Sequence, residues 1–344
     1  MTRRAQRYER YAFEASPWVQ NLTQRDLAQL LGTTKGKLET LIGEKDKYTR
    51  RRPQRIGSKD RMLALPVGKL RTVHERLKYH LNKIKQPDYL FSPRKGRGQR
   101  DNAEHHAEQT QFLSLDIRQF YPSTTQEHIF RWAYHVAGLK SDVAGMLAKL
   151  VAIDGKMPFG SPVSPVLTTH VHRTMFDEIY ELCQAKGLKM SLWVDDLVIS
   201  GPFVKGDLLV WVRNIIRKNG LQTHKIRFRS SALPVSITGV PIKAKRVVAP
   251  RALHQRIQDG YAELRREISD GERAEAIDRL LSALGTYRYH LGPRTDEGRL
   301  TANRMYALRQ RRARLNPAHV TLPASSMNST VASACKSDGT LPWA

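Results

Sequence analysis

Residues 192–200 have the sequence LWVDDLVIS, in which two adjacent aspartates interrupt an otherwise apolar stretch. The stretch is too short for a stable helix and too apolar for a solvated loop, so it predicts a β-hairpin. Asp195 and Asp196 would form the tip of this hairpin, with Val194 and Leu197 in the flanking strands. An ordinary acidic turn remains the alternative as long as this stretch is considered alone.

A third acid, Asp116, lies in a second apolar run, FLSLDIRQFYPS, at residues 112–123. The apolar half of the run predicts a buried strand that ends near Asp116, and a helix is expected after the proline. Ser123 or Thr124 would cap that helix, because each is followed three residues later by Gln or Glu. Asp116 is therefore predicted at a strand-to-helix transition that faces a cleft, with the ring of Tyr121 nearby.

Carboxylates in apolar strands are uncommon unless they have a partner or bind a metal. Two-metal phosphoryl transfer requires acids that converge on cations ~3.5–4 Å apart, which stabilise the attacking and the leaving oxygen. A strand-end acid beside a hairpin-tip pair can supply that geometry. We therefore expect Asp116, Asp195 and Asp196 to form a site for divalent cations.

The charge of the chain indicates a polyanionic partner. Its 344 residues include 58 Lys and Arg against 32 Asp and Glu, a formal net charge of +26. Basic side chains that neutralise phosphates release condensed counterions, which favours binding to nucleic acid. A three-acid site in so basic a chain is expected to work beside nucleic acid.

Several classes of protein are disfavoured by the composition. No stretch approaches the ~20 apolar residues of a membrane-spanning helix, and the Arg-rich start has no apolar segment typical of a secretory signal. The two cysteines are too few for a disulfide framework or a cysteine zinc site. We therefore expect a cytoplasmic protein without membrane association.

The order of segments predicts an α+β protein with four parts. Residues 22–43 predict two short helices separated by Gly32, either a small helix-turn-helix or a helical cap on the next domain. Residues 251–314 are predicted to be mostly helical and are strongly basic. The four parts are a small helical N-terminal extension at 1–47, a catalytic region at 48–245, a basic helical region at 246–316 and a disordered tail at 317–344.

The segment MPFGSPVSPVL at residues 157–167 is predicted to join a constrained loop to a helix. Ser164 is a good N-cap and Pro165 a good first helical residue, and the helix should continue to near Gly187. The turn at Gly160–Ser161 is the part expected to meet a ligand.

Two histidine pairs, His105–His106 and His170-x-His172, have spacings that also occur in metal sites. Ordinary packing or hydrogen bonding is the simpler interpretation. We favour it, and the metal-binding alternative stays open.

Together, and in this order, these segments resemble the reverse transcriptases, most closely the bacterial retron type. LDIRQFYPS resembles the first catalytic motif of that family, MPFGSPVSPVL the motif that contacts nucleotide and template, and WVDD the YxDD hairpin. The resemblance covers roughly residues 20–310, and its motifs are specific only as a set. Three shorter family patterns are approximated by Arg61, Leu63 and Pro66 (R-x-I-x-x-P), by Asn102, Ala103 and His106 (N-A-x-x-H), and by Ile237, Thr238 and Gly239 (V-T-G).

The resemblance implies a right-hand polymerase architecture. Residues 48–245 would form fingers and palm, an antiparallel sheet with helices, and residues 246–316 a helical thumb. It further implies that Asp116 and Asp195 coordinate two Mg²⁺ ions. The remaining members of the implied catalytic and metal-binding set are the Ile117 carbonyl, Asp196 and Lys225, of which Lys225 would protonate the pyrophosphate leaving group.

The resemblance also implies residues that bind the substrates. The ring of Tyr121 would exclude a nucleotide 2′-hydroxyl and so favour dNTPs. The implied nucleotide-binding residues are Lys59, Arg61, Tyr121, Phe159 and Gly160. The implied RNA- or template-binding residues are Asn102, His106, Ser161, Thr238 and Gly239.

Three residues depart from the family pattern. Trp193 replaces the usual Tyr of the hairpin, and Gln222 stands where Asn is common. Phe159 replaces the usual Gln before Gly160, which removes a polar contact near the incoming sugar. None of these changes removes a metal ligand, so we expect an active enzyme.

The hypothesis from the sequence is therefore an RNA-directed DNA polymerase of retron type that copies a structured non-coding RNA with dNTPs. The resemblance implies a branched RNA–DNA product and a role in anti-phage defence, and it leaves an effector (toxin) protein open as a further partner. One alternative is another defence-associated reverse transcriptase that adds nucleotides without a template. The other is a non-catalytic RNA-binding scaffold that restrains a toxin.

Overall fold

The computed structural model of the protein describes residues 10–56 and 59–315. The predicted disordered tail at 317–344 and the Arg-rich start lie outside the described residues. The chain divides into two compact units, Met1–Arg246 and Val247–Ala344, and each is described by itself. The first unit combines helices with β-sheets, and the described part of the second is mainly helical, so the fold mixes both kinds of element.

A five-stranded sheet forms the centre of the first unit, with strand order β3-β5-β6-β4-β7. β3 runs parallel to β5, and the other neighbouring pairs are antiparallel. The position of β4 between β6 and β7 gives it hydrogen-bonded neighbours on both edges. The strands are β1 Thr49–Ile56, β2 Lys59–Pro66, β3 Leu90–Ser92, β4 Gln111–Ile117, β5 Lys189–Trp193, β6 Asp196–Gly201, β7 Thr223–Ser230, β8 Val235–Ile237, β9 Val240–Lys243 and β10 Arg246–Val247.

Helices alternate with these strands in the first unit and follow one another in the second. None of the described helices has both the length and the apolar composition that crossing a bilayer requires. The α-helices are α1 Gln24–Leu30, α2 Lys35–Gly43, α3 Gly68–Asn82, α4 Gln99–His106, α5 Phe120–Ser123, α6 Gln126–Arg131, α7 Ser141–Val151, α8 Ser164–Val171, α9 Arg173–Ala185, α10 Gly206–Lys218, α11 Arg251–Glu263, α12 Asp270–Leu291 and α13 Asp296–Leu315. Shorter elements are 3₁₀ turns at Phe13–Ala15, Pro17–Val19 and Lys45–Tyr48 and a π-helical turn at Trp132–Val136.

Among the described residues, two hydrophobic cores help to hold the first unit together. One packs α9 and α10 against the five-stranded sheet and includes Phe176 and Ile216. The other joins α3, α7 and α8 to the N-terminal helices, because Leu27 of α1 and Leu38 of α2 are fully buried in it. Each such side chain contributes about 1.5–3 kcal/mol through burial. The two N-terminal helices therefore have the packing that a helical cap requires.

Two helix boundaries differ from the prediction. Thr125 caps α6, one residue beyond the predicted Thr124, because the preceding residues already form the short helix α5. The single helix predicted from Ser164 to near Gly187 is two helices, α8 and α9, which meet at His172. The apolar periodicity continues through that break, which is why the sequence does not reveal it.

The described part of the second unit contains α11, α12 and α13. Leu280 and Leu284 of α12 and Met305 of α13 belong to its core. α12 begins with a capping box, in which the Glu272 carboxylate accepts from the Ser269 N–H at 2.9 Å and the Ser269 hydroxyl accepts from the Glu272 N–H at 3.3 Å. The predicted helical character of this region is thus explained by a local N-terminal signal and an apolar seam.

Candidate active site

The hairpin predicted around the aspartate pair is present, and the sheet places Asp116 beside it. A two-residue turn, Val194–Asp195, joins β5 to β6, so Asp196 is the first residue of a strand rather than part of the tip. Asp116 of β4 lies directly opposite Asp196 of β6. The Ile117 N–H donates to the Asp195 carbonyl at 3.0 Å. The three predicted acids therefore meet where β4 ends and β6 begins.

Val194 holds the turn in an unfavourable backbone conformation. Its φ is 58°, in the left-handed region that β-branched residues seldom adopt. Two-residue hairpin turns need such a φ at their first position, which Gly, Asn or Asp usually supplies. The strain, of order 1–3 kcal/mol, persists only where surrounding structure determines it. Here the Val194 N–H donates to the Ser92 carbonyl of β3 at 3.0 Å, so β3 holds the turn that carries Asp195.

Burial and mutual repulsion perturb the carboxyl groups. Burial, followed by the charges of Asp116 and Asp196, raises the pKa of the Asp195 carboxyl to about 7. Burial and Asp116 also raise the pKa of Asp196, although Lys225 and Arg227 act in the opposite direction. Carboxylates with raised pKa values are destabilised as anions and gain from a nearby cation. The acids therefore form a site that favours added positive charge.

Lys225 supplies part of that charge. Its Nζ donates to Asp116 Oδ2 at 3.0 Å, and this hydrogen bond and the charge of Asp116 raise the pKa of the lysine. Lys225 has a φ of 49° and lies where the register of β7 on β4 shifts between Ser114 and Asp116. The shift accommodates one extra residue of β7, a bulge of the kind that redirects side chains beside functional sites.

Three side chains expected to bind the nucleotide lie next to one another. The guanidinium carbon of Arg61 is 4.9 Å from the centroid of the Phe159 ring. Phe159 meets Tyr121 edge-on, with centroids 5.4 Å apart and an interplanar angle of 74°. Burial and the charge of Asp195 raise the pKa of the Tyr121 hydroxyl. The arginine and the two rings thus stand beside the acids.

The loop before α8 is fixed against β2. The Phe159 carbonyl accepts a hydrogen bond from the Ala64 N–H at 2.9 Å. Gly160 has a φ of 96°, and a Cβ at this position would lie 2.6 Å from Leu65 Cδ2. Glycine is therefore favoured both by the backbone conformation and by the close approach of β2. Lys59, the remaining residue expected near the nucleotide, begins β2.

Ser161, expected to contact the template, has its side chain in the interior. Its Oγ lies 2.7 Å from His74 Nδ1, and His74 Nε2 lies 3.2 Å from the Leu150 carbonyl. Because a carbonyl only accepts, Nε2 carries the proton and Nδ1 accepts from the Ser161 hydroxyl. Burial lowers the pKa of His74 to about 4, which keeps the ring neutral. Ser161 thus connects the loop to α3 and to the end of α7.

His106, expected to contact RNA, is fully buried at the end of α4, where it contacts both strands of the hairpin. Its Nδ1 is 2.6 Å from Ser200 Oγ on β6, and its Nε2 is 2.8 Å from Ser191 Oγ on β5. Burial lowers the pKa of His106 well below its ordinary value. A neutral imidazole donates to one hydroxyl and accepts from the other. His106 therefore connects both strands that carry the aspartate pair.

Asn102, the asparagine of the N-A-x-x-H pattern, is also fully buried. Its Nδ2 donates to Thr238 Oγ1 at 3.5 Å, while its Oδ1 has no hydrogen-bond partner within the described residues. Thr238 and Gly239 form the turn between β8 and β9, with φ angles of 47° and 83°. Of the five residues expected to contact RNA, only Thr238 and Gly239 reach the surface.

The acids suit divalent cations by ligand type and by charge. Three carboxylates offer the oxygen ligands that hard cations prefer, and the pKa of Asp195 is raised because burial and the charges of Asp116 and Asp196 outweigh the opposite effect of Arg61. Within the described ranges, no three acidic, histidine or cysteine side chains are close enough to enclose one ion. Asp116 is instead paired with Lys225. The residues therefore fit a metal by chemistry, although the carboxylates are not gathered into a closed cluster.

A sequence model of the family described as reverse transcriptase (RNA-dependent DNA polymerase) matches residues 53–242, more than half of the chain. The chain belongs to this family. A domain of this kind implies a polymerase that depends on divalent metal ions. The match includes all three acids and Lys225, which agrees with the geometry described above.

Two curated reverse transcriptases of retrons are similar to the chain, which confirms the resemblance to the retron type. The retron Se72 reverse transcriptase of Salmonella heidelberg (strain 579083-10) is 27% identical over 143 residues, 41% of this chain and 38% of that protein. The retron Ec86 reverse transcriptase of Escherichia coli is 23% identical over 182 residues, 52% of this chain and 57% of that protein. The chain thus spans less than two thirds of either relative.

Among solved structures, apo telomerase from Candida tropicalis is similar to the chain with a TM-score of 0.46 and 10% identity. The match covers 79% of this chain and 58% of the telomerase chain. At that TM-score the likeness supports no conclusion of its own.

Several residues that position the site of this reverse transcriptase were missed in the sequence. His74 gives no signal in an amphipathic helix, and its contact with Ser161 depends on tertiary packing alone. Ser191 and Ser200 do give one, because hydroxyls inside fully buried strands need a partner. A buried histidine is such a partner, so these serines could have suggested an interior role for His106.

Proposed function

We propose that the protein is an RNA-directed DNA polymerase of retron type that copies a structured non-coding RNA into DNA. Membership of the reverse transcriptase family and the similarity to two retron enzymes support this function. The observation that carries the proposal is that Asp116, Asp195 and Asp196 meet beside Lys225. The rings of Tyr121 and Phe159 lie next to them. Residues 48–245 would act as fingers and palm, and residues 246–316 as a helical thumb on the duplex.

The cofactor in this proposal is Mg²⁺, with two ions in each active site. Asp116, Asp195 and Asp196 would hold them together with the Ile117 carbonyl. When bound, the ions supply Lewis-acid stabilisation of charge on the attacking and leaving oxygens. The raised pKa of Asp195 supports this assignment, because a carboxylate destabilised by its neighbours gains from nearby cations.

The residues around the acids would bind and orient the dNTP. Lys59 and Arg61 are cations on β2 that would bind the triphosphate. Tyr121 would pack against the deoxyribose and exclude a 2′-hydroxyl. Lys225, whose pKa is raised by Asp116, remains protonated at neutral pH and would donate its proton to the pyrophosphate leaving group.

The proposed polymer partner is a structured non-coding RNA, which becomes joined to the DNA product. The net charge of +26 supports a nucleic-acid partner. The exposed Thr238–Gly239 turn would contact the RNA, while Asn102, His106 and Ser161 would shape the protein surface from within. In the further parts of the proposal, an RNA 2′-hydroxyl primes synthesis and leaves a branched product, and the complex serves anti-phage defence together with an effector protein.

A polymerase assay on purified protein tests the function. Wild-type protein is expected to extend a primed RNA template with dNTPs when Mg²⁺ is present. Asp195→Asn should abolish extension, because it removes a charged ligand, whereas Asp142→Asn on the exposed start of α7 should not change it. Full extension by Asp195→Asn would show that the acid site is misassigned.

The nucleic acid that co-purifies with the protein separates the alternatives. DNA complementary to one RNA and covalently attached to it is expected for a retron-type enzyme. DNA without a complementary RNA would favour untemplated synthesis, an alternative suggested by Phe159 in place of Gln. Unchanged phage protection by an Asp195→Asn/Asp196→Asn variant would favour the non-catalytic scaffold.

A further inference from the structure

Phe159 replaces the usual Gln of the family pattern, so its side chain cannot make the polar contact of that Gln. The guanidinium carbon of Arg61 lies 4.9 Å from its ring centroid, a cation–π distance. The same ring meets the ring of Tyr121 edge-on, with centroids 5.4 Å apart. Phe159 therefore contacts both Arg61 and Tyr121.

The backbone fixes the position of Phe159 relative to Arg61. The Phe159 carbonyl accepts from the Ala64 N–H at 2.9 Å, and Ala64 lies on the strand that carries Arg61. At the next residue, Gly160 approaches Leu65 so closely that a Cβ would lie 2.6 Å from Leu65 Cδ2. Because these contacts do not involve the Phe159 ring, replacing the ring should leave the loop attached to β2.

Arg61 depends on this ring for its placement. Across residues 10–56 and 59–315, the Arg61 guanidinium forms neither a hydrogen bond nor a salt bridge, and its ring contact is with Phe159. Its charge lowers the pKa of Asp195, which places it within electrostatic reach of the acids. A long arginine side chain without a partner samples many rotamers, and stacking on a ring restricts them.

We propose that Phe159 is a positioning residue that holds the Arg61 guanidinium ready for the triphosphate of the incoming dNTP. This inference rests on the proposed function and adds to it separate roles for two residues of the nucleotide site, in which Arg61 binds the triphosphate and Phe159 positions Arg61. Phe159 lacks the hydrogen-bonding groups of the usual Gln, so it contributes through Arg61 rather than through a polar contact with the sugar. Nucleotide affinity in this enzyme thus depends on the Arg61–Phe159 pair.

Steady-state dNTP incorporation on a primed RNA measures the effect. Phe159→Leu is expected to raise KM for dNTP about 3- to 10-fold, the range of a partly buried cation–π contact, with kcat nearly unchanged. Phe159→Tyr keeps a ring under the guanidinium and should retain the wild-type KM. Phe159→Met serves as a second non-aromatic variant, with folding of each variant checked by circular dichroism.

A double-mutant cycle shows whether the effect passes through Arg61. Arg61→Gln should raise KM by itself, and adding Phe159→Leu to it should raise KM no further. Phe203→Leu is the matched control, because Phe203 is exposed and lies 5.7 Å from the Lys205 ammonium in a second cation–π pair. This control should leave both kcat and KM at the wild-type values.

Three outcomes would overturn the inference while the proposed function stands. The first is an unchanged KM in both non-aromatic variants, and the second is a rise in KM for Phe159→Tyr as large as that for Phe159→Leu. The third is that Phe159→Leu raises KM in the Arg61→Gln background as much as it does in the wild type. Wild-type protein that neither binds nor incorporates any dNTP would overturn the proposed function and this inference together.

Discussion

Replacing His106 by leucine is expected to destabilise the first unit even when no RNA is present. In the wild-type protein, the buried imidazole hydrogen-bonds to Ser200 Oγ at 2.6 Å and to Ser191 Oγ at 2.8 Å. Leucine has a comparable size but no polar atom, so both hydroxyls lose their partner inside the sheet. A buried polar group left without a hydrogen bond costs about 1–3 kcal/mol.

The expected loss of unfolding free energy for His106→Leu is about 2–4 kcal/mol, because leucine recovers part of the cost by apolar burial. Removing the orphaned hydroxyls should reverse much of the effect. The triple variant His106→Leu/Ser191→Ala/Ser200→Ala is therefore expected to be more stable than His106→Leu alone. Such non-additivity is characteristic of side chains that share one hydrogen-bond network.

Urea denaturation of RNA-free protein measures these free energies, and filter binding at a temperature where all variants are folded measures RNA affinity. The interior role predicts lower stability with RNA affinity nearly unchanged. The contact expected from the sequence predicts the opposite result. Wild-type stability of His106→Leu combined with weaker RNA binding would refute the reasoning from the structure.

Two further perturbations follow from the geometry. Gly160→Ala is expected to lower the free energy of unfolding by about 1–3 kcal/mol through backbone strain. Adding Leu65→Ala should not restore this stability, because the φ of 96° remains. Urea midpoints equal to that of the wild type would contradict this prediction. Burial lowers the pKa of His74 and His170 to about 4 and that of His172 to about 3, so the folded state disfavours their protonated forms. Stability should be retained above the unfolded-state pKa of about 6.5 and should fall as the pH is lowered, by up to about 2 kcal/mol for each histidine between pH 6.5 and 5. A urea midpoint that does not change between pH 7.5 and pH 5 would exclude this effect.

The sequence predicted those parts of the site that depend on local patterns. The apolar stretch around Asp195 contains the information for a hairpin, and the apolar run before Asp116 contains the information for a second strand. The break between the first two helices is also a local pattern, because Gly32 has a positive φ, a conformation that commonly ends a helix. Charge and composition led to the expectation of a polyanionic partner, which stays a prediction.

The parts that the sequence did not predict depend on contacts between distant segments. His106 and Ser161 could be recognised as important but not as buried, because their partners lie on other elements, 94 and 87 positions away for the contacts with Ser200 and His74. Lys225 was expected to act on the pyrophosphate, while its ion pair with Asp116 requires the bulge in β7. A single sequence shows neither the bulge nor the burial.

The pairing of β4 with β6 limits how the length of this protein can vary. A one-residue insertion inside β6 would turn every following side chain to the other face of the sheet, burying polar groups and exposing the apolar ones. An insertion in β4 would likewise separate Asp116 from its position opposite Asp196. Segments 202–205 and 231–234, which join the sheet to its neighbours, are free of that constraint. Natural length variation among close relatives should therefore accumulate in those connections and be absent from β4 and β6.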